Sequence, residues 1–349
     1  MTGASSSAAA AAAPAQVGPR AAASPRPAAA APRGPRDPAR PPPPPRRRPQ
    51  DAASRMATYG CSTSRCTQLI NVAGFEMYAV SVAGQETSIT LPREKVVFDI
   101  GRCPQRAVSV ETVLISHAHM DHIGGINFHL ASRQMLSLTP SRVFLPSANV
   151  GSLHQLCEVH RALDGCDMRV DAAGVDPGAQ WEHRGDLLIR AFPTTHVVPS
   201  QGYLVLSRRK KLRPEYRALA GSEIRALKER GVDVTAPVDA PEVAFTGDTD
   251  ISFVHKCLRS DPAVLRARLL IMELTFVDDL VDPENARSMG HTHVRDLLDN
   301  IEHFRDVGHV LLIHFSARYK ARQVVAELEA RLPDWFQAKT SLLLEGYAD

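Results

Sequence analysis

The sequence predicts an α/β layered domain, on three observations. From about Thr87 onward short apolar runs alternate with stretches of helical spacing, 44% of the 349 residues are hydrophobic, and metal-ligating side chains recur directly behind the apolar runs. Strands are expected to end at Asp99, Ser116, Leu145, His196, Thr246, Leu274 and His314. Helices are expected over Asn149 to Leu163, Asp261 to Arg266, Thr292 to Phe304 and Ala321 to Leu332.

The first 55 residues stand apart from this pattern. They hold nine Arg, no Lys and two Asp, and 13 of the 26 prolines fall within the first 50 positions. Such a segment cannot form a packed core and is expected to be disordered. An arginine-rich, serine-containing, acid-poor start reads as an organelle transit peptide, with the chloroplast as the expected address and the mitochondrion as an alternative. Initiation at Met56 would give a cytoplasmic or nuclear form. Residues 56–349 form the expected globular domain.

Charge divides the same way. The chain is formally +3 and its first 55 residues contribute nine minus two, +7, so the remainder is about −4. The domain is therefore not a generally basic nucleic-acid binder. Its positive charge is concentrated between Ser207 and Val232, where nine Lys and Arg face three Glu, a local +6. Leu212, Tyr216, Leu219 and Leu227 fall at helical spacing, so this run is expected to form a basic amphipathic helix with an apolar seam. Arg208, Arg209, Lys210 and Lys211 are its candidate nucleic-acid contacts. No stretch approaches about 18 uninterrupted apolar residues, so no membrane span is expected. The six cysteines contain no Cys-x-x-Cys pair; the thiols are expected to be reduced and are assigned no role.

The most informative segment is His117-Ala118-His119-Met120-Asp121-His122, four ligand-type residues in six positions. It follows the apolar, β-prone Val113-Leu114-Ile115-Ser116 and precedes Gly124-Gly125, which puts the ligands on a loop leaving a buried strand. One tetrahedral ion cannot use donors packed this closely, whereas two adjacent ions can. Further ligand-type residues recur behind apolar runs: His196 after Ala191-Phe192-Pro193-Thr194-Thr195, Asp248 after Val243-Ala244-Phe245-Thr246-Gly247, and His314 after Val310-Leu311-Leu312-Ile313.

Together these blocks resemble the metallo-β-lactamase superfamily, and within it the ribonuclease Z family of tRNA 3′-processing endonucleases in its short plant-type form. The resemblance runs from about Gly84 to the C-terminal region. It rests on Phe98 to Pro104, the ligand loop, Pro199 to Tyr203, Pro241 to Thr249, Gly290-His291-Thr292-His293, and Leu312 to Tyr319. It implies a four-layer αββα sandwich with metals at one edge of the two sheets. By the same resemblance His117, His119 and His196 hold one metal, Asp121, His122 and His314 hold the other, and Asp248 bridges them. Two Zn2+ per subunit are expected from imidazole and carboxylate donors, with Mn2+ as the alternative. Paired metals about 3.5–4 Å apart suit phosphodiester hydrolysis by clamping phosphate oxygens and stabilising developing charge.

The family pattern also supplies roles beyond the ligands. Asp121 is implied to accept a proton from the attacking water, and Asp99 to organise the histidine loop. His291 aligns with the family's catalytic histidine and would protonate the leaving 3′ oxygen; Glu273 would orient it, and His293 competes for the role. Arg318, in Phe315-Ser316-Ala317-Arg318-Tyr319, is a candidate RNA contact. The resemblance implies an arm-like insertion over 207–235, but the family's long arm has a Gly-Pro-rich tip that this chain lacks, so any grip on the tRNA elbow is made differently. The implied partners are precursor tRNA and a second copy of the chain in a homodimer. The implied reaction removes the 3′ trailer of precursor tRNA; the alternative is a phosphodiesterase acting on 2′,3′-cyclic phosphate ends or small diesters. A non-catalytic RNA-binding scaffold is disfavoured because every ligand position is filled.

Overall fold

The computed structural model describes residues 56–60 and 68–349; the expected leader over residues 1–55 lies outside them, as do Cys61 and Cys66 of the expected domain. In chain order the strands are β1 (Ala57–Tyr59), β2 (Ile70–Val72), β3 (Phe75–Val82), β4 (Glu86–Leu91), β5 (Val96–Phe98), β6 (Thr112–Leu114), β7 (Arg142–Pro146), β8 (Asp171–Val175), β9 (Gln180–Arg184), β10 (Leu187–Pro193), β11 (Gln201–Leu212), β12 (Thr235–Phe245), β13 (Leu269–Glu273), β14 (His309–Ile313) and β15 (Thr340–Leu343). The helices are α1 (Met120–Ile123), α2 (Ile126–Met135), α3 (Val150–Asp164), α4 (Gly221–Glu229), α5 (Phe253–Ser260), α6 (Pro283–Ser288), α7 (Val294–Asp299), α8 (Ala321–Arg331) and α9 (Asp334–Gln337). The strands form two sheets, one in the order β1-β15-β14-β13-β12-β11-β10-β9 and the other β2-β3-β4-β5-β6-β7-β8.

Strand alternation builds the layers. In β13, Leu269 and Ile271 face the core between the sheets while Leu270 and Met272 face the helices, and Leu311 and Ile313 against Val310 and Leu312 repeat this in β14. The inter-sheet core joins Met77, Ile89 and Phe98 of one sheet to Tyr203, Phe245 and Ile271 of the other. Outside the longer sheet, Phe253, Leu297, Val324 and Leu328 bring α5, α7 and α8 onto it. Outside the shorter sheet, Ile126, Leu130 and Leu153 of α2 and α3 cover Val97, Val113 and Val143. Three apolar layers between four layers of secondary structure are the αββα sandwich. Each large side chain fully buried in them contributes about 1.5–3 kcal/mol.

Strand direction gathers the loops. β5, β6 and β7 run parallel, as do β12 to β15, so their C-terminal ends lie at one edge of each sheet. The expected strand ends fall within three residues of the observed ones. α3 matches its expected span and stops at Gly165, which takes the left-handed φ of +69° required of the residue after a helix. α8 also matches.

Three expectations are corrected. The expected helix over Thr292 to Phe304 is α7 followed by a separate 3-10 turn at Ile301–Phe304. Of Asp261 to Arg266 only Val264–Arg266 is helical, as one 3-10 turn after α5. The basic run is not a helix at its start: Arg208 to Lys211 belong to β11, which pairs antiparallel with β12 from Arg208↔Asp239 to Leu212↔Thr235. The insertion is thus a two-stranded ribbon carrying a 3-10 turn at Pro214–Tyr216 and the short α4. Of the residues at helical spacing, Tyr216, Leu219 and Leu227 all follow Pro214, while Arg208 to Lys211 precede it, and pairing with a strand distant in sequence sets their conformation. Among the described residues no helix is long and apolar enough to cross a membrane, and Cys103, Cys157, Cys166 and Cys257 are free.

Candidate metal centre

The site is assembled where the strand ends meet. Asp99 follows β5, His117 follows β6, His196 follows β10, Asp248 follows β12, Glu273 closes β13 and His314 follows β14. The tight exits show in the backbone: Asp99 and His314 take φ of +54° and +59°, a left-handed conformation that side chains other than glycine adopt only under constraint. Gly290 has the same requirement for a second reason. A Cβ there would fall 2.4 Å from His196 Nδ1, whereas the bare glycine lets its carbonyl meet that nitrogen at 2.8 Å.

Two ligand clusters result, each with its donor atoms within 4.8 Å of one another, and a third group at the same spacing joins Asp248 and His314 to His291. In the first, His119 Nδ1 lies 3.1 Å from both His117 Nε2 and His196 Nε2, with Asp248 completing the group. In the second, His314 Nε2 lies 3.3 Å from His122 Nε2 and 3.4 Å from Asp121 Oδ2. Asp248 sits between them, its Oδ2 at 3.8 Å from His117 Nε2 and 3.3 Å from His122 Nε2. Its Oδ1 is buried and has no hydrogen-bond partner. A buried carboxylate oxygen that accepts no hydrogen bond and lies 3.4 Å from His314 Nδ1, among converging imidazole nitrogens, fits a cation. Burial alone would protonate Asp248, but His122 and His314 outweigh it and hold the carboxyl well below its ordinary range.

The far sides of the His117 and His122 rings are tied down. Asp99, fully buried, accepts from Ser116 N at 2.7 Å and Ser116 Oγ at 2.8 Å and contacts His122 Nδ1 at 2.7 Å. Ser116 Oγ also reaches His117 Nδ1 at 3.0 Å, and Gly84 N donates to Asp121 Oδ2 at 2.8 Å. Bonds at the non-ligating nitrogen fix tautomer and orientation, as metal-binding histidines require. Ser116, Gly84 and Thr275 were not foreseen as site residues. Only Ser116, a hydroxyl adjoining the first ligand, carried any local signal.

His291 lies beside the clusters. Its Nδ1 is 2.9 Å from Glu273 Oε1 and 4.0 Å from Asp248 Oδ2, so its partner is Glu273 rather than the ligand carboxylate. Glu273 is fully buried and also accepts from Thr249 N at 3.0 Å, Thr275 N at 3.0 Å and Thr275 Oγ1 at 2.6 Å. Burial works against a charged His291, but the Glu273 carboxylate outweighs it and raises the imidazole to about 9. His293, the competing histidine, is fully buried: its Nε2 is 2.8 Å from Asp278 O, and its Nδ1 accepts from Arg295 N to cap α7. Its two nitrogens are used in holding the loop.

The basic candidates are disposed unequally. Arg208 pairs with Asp239 at 3.1 Å and Glu182 at 3.2 Å, and Arg209 pairs with Glu242. Lys210 and Lys211 form no ion pair among the described residues and are exposed. Arg318 stacks over Tyr319, 4.7 Å from the ring centroid, and donates to Asp278, while Phe276 lies 6.3 Å from the His291 ring.

A family profile described as the beta-lactamase superfamily domain matches residues 100–315. The chain is 40% identical to tRNase Z TRZ1 of Arabidopsis thaliana over 278 residues, 80% of this chain and 98% of that protein. It is 38% identical to tRNase Z TRZ2, chloroplastic, of the same plant, over 80% of this chain and 77% of that one. Among solved structures, human tRNase Z, short form, aligns with a TM-score of 0.50 at 17% identity, covering 77% of this chain and 95% of that one. The metallo-β-lactamase fold protein YhfI from Bacillus subtilis aligns at 0.51 and 15% identity, covering 76% and 94%. These two show the fold; the plant relatives show more, and on them this chain belongs to the metallo-β-lactamase superfamily and, within it, to the ribonuclease Z (tRNase Z) family.

Proposed function

We propose that this protein is a zinc-dependent endoribonuclease that cuts the 3′ trailer from precursor tRNA, leaving a 3′ hydroxyl on the tRNA and a 5′ phosphate on the trailer. The observation that carries the reading is two ligand clusters that meet at the buried Asp248 carboxylate, with His291 held beside them by Glu273 at 2.9 Å. Two zinc ions held by His117, His119 and His196 and by Asp121, His122 and His314, with Asp248 between, would clamp the phosphate and neutralise developing charge. Mn2+ satisfies the same donors.

The chain's own groups divide the remaining work. Asp121 takes the proton released by the attacking water. His291 has Nδ1 committed to Glu273, so the proton it gives to the leaving 3′ oxygen comes from Nε2, and near neutrality the ring carries that proton. Arg318, fixed by Asp278, offers a guanidinium plane beside the site for a phosphate or a base. On the arm, the unpaired Lys210 and Lys211 contact the tRNA backbone, whereas Arg208 is half neutralised by its partners.

A homodimer fits the apolar face of α2 and α3. Phe128, Met135 and Leu136 are 65%, 79% and 61% exposed, and Leu163 of α3, which lines one groove with Phe128, is 78% exposed. A continuous apolar surface of this kind marks a protein interface, and a second copy would cover it. Sedimentation of Phe128→Asp should show monomer where the wild type shows dimer. We assign the first 55 residues as a chloroplast leader on their composition, to be tested by locating a fluorescent fusion of the full chain.

The test of the reaction is incubation of the full chain, with zinc or manganese, with end-labelled precursor tRNA beside bis(p-nitrophenyl) phosphate. A single cut after the discriminator base supports trailer removal. Turnover of the small diester alone would move the assignment to the cyclic-phosphate or general phosphodiesterase reading.

A further inference from the structure

The root of the arm holds a buried carboxylate that the chemistry does not use. β11 and β12 pair in register from Tyr203↔Phe245 to Val205↔Val243, then shift so that Leu206 faces Pro241. Glu242 is the extra residue of this bulge. Burial changes at the same place: Gln201 to Ser207 are buried, while Arg208 to Lys211 are exposed. A bulge bends its strand and increases local twist, so this is where the ribbon turns out of the sheet.

Glu242 is only 5% exposed and has its two oxygens bonded to both sides of that bend. Oε1 accepts from Ser207 Oγ and from Arg209 Nη2, both on the arm strand. Oε2 accepts from Arg268 Nη1 at 2.6 Å. Arg268 belongs to the body: it immediately precedes β13, donates its backbone N–H to Pro241 O, and lies over the Phe75 ring of the opposite sheet at 4.9 Å. The carboxylate therefore links arm, sheet edge and second sheet through charge-assisted bonds, which are stronger and more directional than neutral ones.

We propose that Glu242 is a positioning residue that fixes the direction in which the arm leaves the domain, and so where the arm presents bound precursor tRNA to the metal centre. This rests on the reading of the arm as an RNA-holding element. It also makes Arg209 a strut of the arm, so that of Arg208 to Lys211 only Lys210 and Lys211 are free to meet phosphate. A bulge without such a link leaves a two-stranded ribbon with few partners of its own, and such ribbons are marginally stable.

The test compares the full-length wild type with Glu242→Gln, which keeps the shape, and Arg268→Met, which cuts only the body side. Hydrogen exchange is followed in 207–212 and 235–240, and steady-state kinetics are measured on precursor tRNA and on bis(p-nitrophenyl) phosphate. Both variants should exchange faster in the arm strands alone. KM for precursor tRNA should rise roughly tenfold, the scale on which residues act on a site without touching its ligand, with small-diester turnover within about twofold of wild type. Unchanged arm exchange overturns the proposal, as does a parallel loss of small-diester turnover, or a lower KM caused by the released Arg209. A wild type that hydrolyses the small diester and leaves precursor tRNA uncut would defeat the proposed function instead, while the exchange result would still decide whether Glu242 braces the arm.

Discussion

The metal centre and the arm solve opposite problems with the same residue types. At the centre, charged and polar groups are buried and over-determined: His122 is held by Asp99, Asp99 by Ser116, and His291 by a Glu273 that accepts three further bonds. On the ribbon, Lys210 and Lys211 are exposed and stand without ion pairs, and Arg208 keeps only partners near the surface. The first arrangement fixes atoms for chemistry and is insensitive to salt. The second supplies long-range attraction, which salt screens within about 8 Å at physiological strength.

Substitutions should separate these two behaviours. His291→Ala is expected to slow cleavage by roughly 10²- to 10⁴-fold, the contribution of a general acid, with precursor tRNA binding retained; single-turnover kinetics beside a binding assay would test it. Asp99→Asn keeps the shape but removes the charge and one of the two oxygens that serve Ser116 and His122, and should weaken metal affinity by about 10- to 100-fold, measurable by competition with a chelator. If it left affinity unchanged, the buried support of the ligands would be irrelevant to function.

Glu273→Gln tests the electrostatics by pH. His291 acts in its protonated form, so activity should fall as pH rises through about 9 in the wild type. Without the carboxylate that raises it, the alkaline limb should move toward the ordinary histidine value of about 6.5. An unmoved limb would assign the titration to another group. The smallest effect belongs to the arm: Lys210→Ala and Lys211→Ala should each reduce the salt slope of tRNA affinity by about one without changing small-diester turnover.

The same contrast explains what the sequence revealed. Ligands were legible because each sits behind an apolar run, and the run and its ligand are neighbours in the chain. The uninterrupted apolar runs ahead of Leu274 and His314 likewise pointed to buried strands. The arm was misread because the helical spacing of Leu212, Tyr216, Leu219 and Leu227 was extended back over Arg208 to Lys211, whose β conformation comes from pairing with residues more than twenty positions away. Arg208, Arg209 and Arg318 looked equally free, since their partners Glu182, Asp239, Glu242 and Asp278 are distant in sequence. Thr275 and Gly84 were invisible for the same reason. His293 could be distinguished from His291 only by seeing which ring faces the clusters and which caps α7.

The central claim is that one set of residues holds two metals while His291 stands outside it, and metal content tests this most directly. Purified wild type, Asp248→Ala and His291→Ala would be equilibrated with zinc, desalted and assayed by mass spectrometry of the metal. The account predicts two ions per chain in the wild type and in His291→Ala, and fewer in Asp248→Ala. Depletion in His291→Ala, or a full complement in Asp248→Ala, would contradict it.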